Sequence, residues 1–180
     1  NSVIIGHLGS SVVAANSVAQ VTRQLATVIT FGLANATAIT IGKAIGENNY
    51  DTAKDYAKRF IKLSFFAGII GAIIVLIVRP IAMNSLSLSA DAQQYLSLMM
   101  YVMSYFVLAQ ALNTTFIVGV FRSGGDTKFG LFIDITTMWG GSILIGAFAA
   151  FVLKLSIPVV YIILMCDEIL KLPLTFWRYK

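Results

Sequence analysis

Charge is what this 180-residue chain has least of: Asp, Glu, Lys and Arg make up 12% of it, against roughly a quarter in an ordinary soluble domain. That scarcity argues against a soluble fold, and the 58% share of AVILMFWYC argues the same way. Cysteine is nearly absent. Cys166 alone permits no internal disulfide and no multi-cysteine zinc or iron–sulfur site, and its expected role is a small apolar filler in a helix. The lone histidine, His7, has no acid or nucleophile at a suggestive spacing and reads as a loop or interface residue. Gly124-Gly125-Asp126 is too short for a phosphate loop and lacks the G-K-[ST] continuation. Nothing here suits enzyme chemistry, and no cofactor or firmly bound metal is expected. Asn1 is preceded by no Met, basic leader or cleavage site, so the expectation is a segment of a longer chain rather than one carrying a signal peptide.

What the chain has in quantity is uncharged apolar sequence. Runs free of Asp, Glu, Lys and Arg cover 24–42, 63–78, 92–121 and 135–153, with a shorter one over 155–166. Most approach or exceed the ~20 residues that span a hydrocarbon core. Five membrane helices are predicted, at about residues 20–45, 60–78, 95–121, 129–153 and 156–177. Residues 1–9, apolar but too short to span, fit the end of an earlier helix followed by a turn at Gly9, Ser10 and Ser11. The expected fold class is therefore an all-α polytopic membrane helix bundle. Its connectors are expected at Gly46-Glu47-Asn48-Asn49, Arg79-Pro80, Ser123-Gly124-Gly125-Asp126 and Lys154.

A formal charge of +5 is compatible with nucleic-acid binding until the cations are placed. Lys43, Lys54, Lys58, Arg59 and Lys62 follow the first span, Arg122 and Lys128 the third, and Lys171, Arg178 and Lys180 lie toward the C-terminus. Only Arg23, Arg79 and Lys154 fall on the other side. Ten against three is the bias of cytoplasmic loops. The first span then starts outside, the C-terminus is cytoplasmic, and no nucleic acid is needed to explain the surplus. The basic stretch 51–62 reads as the amphipathic start of the second span, either lying against anionic lipid headgroups or forming a solvated turn with orienting charges.

Polar residues inside the spans carry the functional question. Asn16, Gln20, Arg23, Gln24, Thr27 and Thr30 share one side of the first span at 100° per residue, continued by Ala34 and Ala38. Such a face lines water, a substrate path or a neighbouring helix, the last through modest interhelical hydrogen bonds. Arg23, placed near the outer end, is able to snorkel. In the third span Tyr101, Ser104 and Tyr105 form one polar patch and Gln110, Asn113 and Thr114 a second, and an unpaired buried amide costs ~1–3 kcal/mol. Asp134, near the cytoplasmic end of the fourth span, either pairs with Lys128 or Arg122 or acts as a coupling site. Asp167 and Glu168, in mid-span of the fifth, stand four and three residues before Lys171. They read either as a structural ion pair or as proton- or cation-handling carboxylates. Gly68, Gly71, Gly140, Gly141 and Gly146 are small positions that allow close helix approach.

The ordered local patterns resemble those of the multidrug and toxic compound extrusion (MATE) transporters. Phe31-Gly-Leu-Ala-Asn-Ala-Thr-Ala followed by Ile41-Gly-Lys-Ala-Ile-Gly-Glu-Asn-Asn is similar to the family's "GL..A....IG..IG.G....A". Gly119-Val-Phe-Arg-Ser-Gly-Gly-Asp-Thr-Lys-Phe is similar to "G.LRGGGDTKFP", and Asp167-Glu-Ile-Leu-Lys to Arg178-Tyr-Lys resembles its closing "E..K.....RF". Gly6-His-Leu-Gly-Ser-Ser-Val-Val-Ala-Ala matches "G.LG....AA". The resemblance implies twelve helices in two six-helix lobes, of which residues 1–180 are the C-terminal lobe, its five spans being the eighth to twelfth helices. It further implies a multi-pass protein of the bacterial cytoplasmic (inner) membrane that exports drug-like, amphipathic or cationic compounds in exchange for Na+ or H+. Its partners would be that small molecule, membrane lipid and the N-terminal lobe of the same chain. On this reading Gln20, Arg23, Gln24, Thr27, Tyr105, Gln110 and Asn113 line the cavity, and Asp134, Asp167 and Glu168 are the coupling candidates. Some branches carry an acid in the helix matching the third span, where this chain has Gln110, Ala111 and Asn113. The alternatives are a lipid-linked saccharide flippase of the same superfamily and a non-transporting membrane scaffold.

Overall fold

The structure, a computed structural model, describes residues 2–7, 10–85, 90–153 and 155–179. It is helical throughout, with no strand among the described residues. A short α1, Ser2–His7, is followed by α2, Ser10–Gly46, and α3, Tyr50–Ser85. Next comes α4, Ala90–Thr114, which runs on as wider π-helical turns over Thr115–Phe121. The following hairpin partner is built of α5, Thr127–Ile135, a second π-helical stretch, Thr136–Ile143, and α6, Leu144–Phe151. The chain closes with α7, Ile157–Leu164, and α8, Asp167–Tyr179. Among the described residues four helical stretches are long and apolar enough to cross a membrane: Ser10–Gly46, Tyr50–Asn84, Ala90–Phe121 and Thr127–Phe151.

All four start before their predicted bounds, two of them by ten residues. α2 begins ten residues before the expected start, because Ser10 to Ala19 continue its apolar and small-residue face; Val12, Ala15 and Ala19 are all buried. Its 37 residues make about 55 Å of helix, against a hydrocarbon core of about 30 Å. α3 begins at Tyr50, absorbing the amphipathic basic stretch, and passes through Arg79 and Pro80, where a connector was expected. Proline removes one ladder hydrogen bond, but Arg79 fastens this turn to α4: its guanidinium donates to Ser97 Oγ at 2.6 and 3.2 Å and lies 4.2 Å from the centre of the Tyr101 ring. The predicted turns at Gly46–Asn49 and Ser123–Asp126 are present, with Asn48 at φ 57° and Gly125 at φ 83°. Gly9 and Lys154 lie outside the described residues, as does the His7 side chain; the backbone of His7 ends α1 and is not a loop.

The fifth apolar stretch is helical in two pieces rather than one. α7 and α8, of 8 and 13 residues, are separated at Met165 and Cys166. Pro158 sits in the first turn of α7, where its missing N–H costs nothing. Asp167 and Glu168 occupy the first turn of α8, where the free N–H groups and the helix dipole favour carboxylates. The break thus sits where the sequence supplies a helix-starting pair of acids.

The core runs between α2, α3 and α4, which make the most extensive contacts, with α7 closing one side. Ala15, Ala19 and Ala26 of α2 meet Val75 of α3, Leu96, Met99, Met103 and Val107 of α4, and Val160 and Leu164 of α7. Gly71 lets α2 and α3 approach: an added Cβ would stand 3.1 Å from the Ala26 carbonyl oxygen and 2.8 Å from Val107 Cγ1. Gly68 and Gly146 are similarly crowded, Gly141 less so, and Gly140 faces open space. A smaller cluster of Ile41, Ala44, Ala53 and Ala57 packs at the other end. There the turn after α2, the start of α3, the Gly124–Asp126 turn and the end of α8 converge around an open groove of about 270 Å³. Arg178 clamps Asp126 at 2.8 Å across this end, so the basic segments share one face of the bundle.

Candidate functional site

Three helices depart from regular α geometry at nearly one level. α4 widens after Asn113–Thr114, the next span widens after Asp134–Ile135, and α8 starts at Asp167. The side chains at those departures meet around one ammonium. Lys171 Nζ lies 3.0 Å from Asp134 Oδ1, 3.3 Å from Glu168 Oε1 and 3.5 Å from Asp167 Oδ2. The Lys171 side chain is 8% exposed, Glu168 11%, Asp167 15% and Asp134 46%. Asp134 therefore pairs with a residue 37 positions away, not with Lys128 or Arg122. The Asp167 and Glu168 pairs with Lys171 are those the i,i+4 and i,i+3 spacing offered.

Asn113, itself 1% exposed, ties the cluster to α4. Its Nδ2 donates to the Glu168 carbonyl at 2.6 Å and to Glu168 Oε2 at 2.7 Å, using both amide protons. Thr175 Oγ1 donates to the Leu172 carbonyl at 3.0 Å and stands 3.4 Å from Asn113 Oδ1. Three carboxylates against one ammonium leave the group short of positive charge, and buried carboxylates are held ionised only by nearby cations and donors.

Space lies next to this deficit. A cavity of about 170 Å³ is bounded by Phe31, Asn113, Thr114, Ile117, Asp134 and Glu168. Asp134, Ile117 and Val118 also border a second, open cleft of about 350 Å³ that reaches Arg122, Lys128 and Thr127 toward the basic end. Half-exposed Asp134 borders both spaces, together with Ile117 and Val118. Among the described residues no three of His, Cys, Asp and Glu come together as a metal-holding group.

The polar stripe of α2 forms a separate group. α2 starts at Ser10, thirteen residues before Arg23. The Arg23 Nε donates to Gln20 Oε1 at 2.9 Å and its Nη1 to Gln110 Oε1 at 3.3 Å, and its guanidinium lies 5.9 Å from the Phe106 ring centre. Gln24 and Tyr105 are exposed. Thr27 is buried, and its hydroxyl donates within α2 to the Arg23 and Gln24 carbonyls. Thr22, Thr30 and Thr37 do the same with their own helix, which leaves the stripe's threonines no hydroxyl proton for a neighbour.

Sequence reasoning singled out the acids but not what organises them. Lys171 was read as a partner within its own helix and as one of the C-terminal cations, Phe31 only as the start of a sequence pattern, and Thr175 was not singled out. Separation in sequence hides the Asp134 and Asn113 contacts, since no periodicity relates α4, α5 and α8. The one signal available was the trio of acids with a lysine inside otherwise uncharged spans.

The family profile described as MatE matches residues 1–148, well over half of the chain. No curated protein and no solved structure matches it.

Proposed function

The chain belongs to the MatE family, and from that premise we propose that it forms the C-terminal six-helix lobe of an exporter that moves amphipathic drug-like compounds in antiport with Na+ or H+. At the coarser level it is a multi-pass membrane protein and a membrane transporter of that superfamily, whose members are transporters rather than enzymes. The observation that carries the finer reading is the buried Lys171 ammonium within 3.5 Å of three carboxylates, beside a cavity walled by Asp134 and Glu168. An entering Na+ or proton competes with Lys171 for Asp134 and Glu168. Its binding loosens the tie between α5 and α8, and a difference in affinity between two arrangements is what an exchanged ion needs to drive a transporter. In this reading Asp134 and Glu168 take the ion, Asp167 holds Lys171 on the α8 side, and Asn113 orients Glu168. Gln20, Arg23, Gln24, Gln110 and Tyr105 face the path, the N-terminal lobe supplies the opposite wall, and the basic end with the C-terminus is cytoplasmic.

The test is ion-coupled efflux from proteoliposomes containing the whole transporter. Asp134→Asn and Glu168→Gln are each expected to abolish the dependence of efflux on the Na+ or pH gradient at unchanged expression. Efflux that stays fully coupled in both variants removes these residues from the mechanism. A second reading, flipping of a lipid-linked saccharide, is supported by Arg23, which has no carboxylate within 4 Å among the described residues. Comparing transport of an amphipathic dye with that of a lipid-linked oligosaccharide separates the two.

A further inference from the structure

The open groove at the basic end of the bundle pairs an apolar floor with a charged rim. Ile41, Ile45, Ala53, Ala57 and Phe121 supply the floor, and Lys54, Asp126 and Arg178 are the charged side chains around it. Arg178 donates to Asp126 through Nε at 2.9 Å and Nη2 at 2.8 Å, which neutralises the acid of the rim. Lys54 is exposed and has no carboxylate within 4 Å among the described residues. The rim therefore keeps an uncompensated positive charge, which exposed Lys58 extends one turn further along α3. Around them Lys54, Lys58, Arg59 and Lys62 stand against Asp51 and Asp55.

The groove stands at the depth of lipid headgroups. Ala57 and Lys54 precede Phe60, where the apolar span starts, by three and six residues, about 4.5 and 9 Å of helix. The headgroup layer adds about 5–7 Å to each side of the hydrocarbon core, and the flexible stem of a lysine lets its ammonium reach that layer. Tyr50, 58% exposed, and Trp177, 73% exposed, flank the same end, as aromatic residues do at a membrane boundary. A free phosphate gains nothing from the apolar floor, and a cationic compound is repelled by Lys54. Floor and rim together match an anion with a hydrocarbon tail. We propose that the groove holds an anionic phospholipid, its phosphate on Lys54 and the upper part of one acyl chain against Ile45 and Ala57. Such a site requires this end to lie at a membrane surface and is independent of which compound is exported.

Native mass spectrometry of the whole transporter, released from micelles carrying equal amounts of phosphatidylglycerol and phosphatidylcholine with identical chains, reads which lipid is retained. The wild type is expected to retain phosphatidylglycerol in preference. Lys54→Gln is expected to lose about fivefold of that preference, the worth of one lysine near an anionic surface, and Lys54→Arg to keep most of it. Lys43→Gln removes an equal charge from the same end but away from the groove, where Lys43 pairs with Glu47 at 3.9 Å, and should leave the preference unchanged. Ile45→Ser, which makes the floor polar, is expected to lower the amount of phosphatidylglycerol retained. Glycerol phosphate, the headgroup without chains, should not displace the lipid. Equal retention of the two lipids by the wild type, equal losses in Lys54→Gln and Lys43→Gln, full retention in Ile45→Ser, or displacement by glycerol phosphate each overturns the site. None of these readouts measures efflux, so the proposed exporter stands or falls separately.

Discussion

At the scale of single residues, Lys171 and Asn113 set what the polar cluster tolerates. Lys171→Met leaves the buried Glu168 beside two further acids with no cation, and breaking a buried pair from one side costs about 3–5 kcal/mol. Thermal unfolding in detergent is expected to show that loss. Adding Glu168→Gln to Lys171→Met should recover part of it, so that the two changes are not additive. Asn113→Leu strips the Glu168 carbonyl and carboxylate of their α4 donor, with an expected cost of about 1–3 kcal/mol read in the same assay. The sequence was legible here to the extent that contacts were local. The Asp167 and Glu168 pairs with Lys171 followed from helical spacing, whereas the only partners offered for Asp134 were the nearby Lys128 and Arg122, beside a coupling role. The threonines of α2 were ambiguous for a related reason: a hydroxyl in a helix can satisfy itself on its own backbone, which spacing does not reveal.

The elements show a different division. Uncharged runs located every long helix, because hydrocarbon thickness sets a length that composition alone reports. Helix ends were less legible. Ser10 and Ser11 read as part of a turn and the first span as starting near Gln20, yet Val12, Ala15 and Ala19 pack in the core, and Pro80 read as a stop where Arg79 holds the turn in place. The division into α7 and α8 was hidden because 155–177 contains enough apolar residues to read as continuous, while the acids that start α8 also read as mid-span charges. Glycine contacts make the packing testable. Gly71→Ala and Gly146→Ala are expected to lower stability by about 1–3 kcal/mol, the usual cost of overpacking, since a Cβ at Gly146 would stand 2.5 Å from Leu164 Cδ2. Gly140→Ala, which meets nothing within 4 Å, should change stability by less than about 0.5 kcal/mol. Equal losses at all three positions would contradict the packing described for them.

On the scale of the whole molecule, the connectors after α2 and after Phe121 and the end of α8 gather at one end, whereas Lys171, counted with their cations, lies buried among three acids. The turn after α2, the Gly124–Asp126 turn and the end of α8 lie together; Arg79 and the start of α4 lie at the opposite end. With Cys166→Ala as background, Asn48→Cys is expected to react with a membrane-impermeant maleimide only after cells are opened, and Asp91→Cys in intact cells. The reverse pattern would invert the proposed orientation. The bundle is also uneven: α2, α3 and α4 build most of the main core, α6 and α7 add Ala149, Ala150, Val160, Tyr161 and Leu164 to it, and α8 meets α4 outside that core. Mechanically, the Lys171 cluster is a rivet through three plates, α4, α5 and α8, none of which is otherwise braced at that point by so many polar contacts. A pull on the C-terminus in a lipid bilayer should peel α8 until the load reaches Lys171, stop there, and release α8 from α4 and α5 in one step. α2 to α4 should then resist as a single block. A proton or sodium ion that loosens the rivet would appear in such a recording as a lower rupture force.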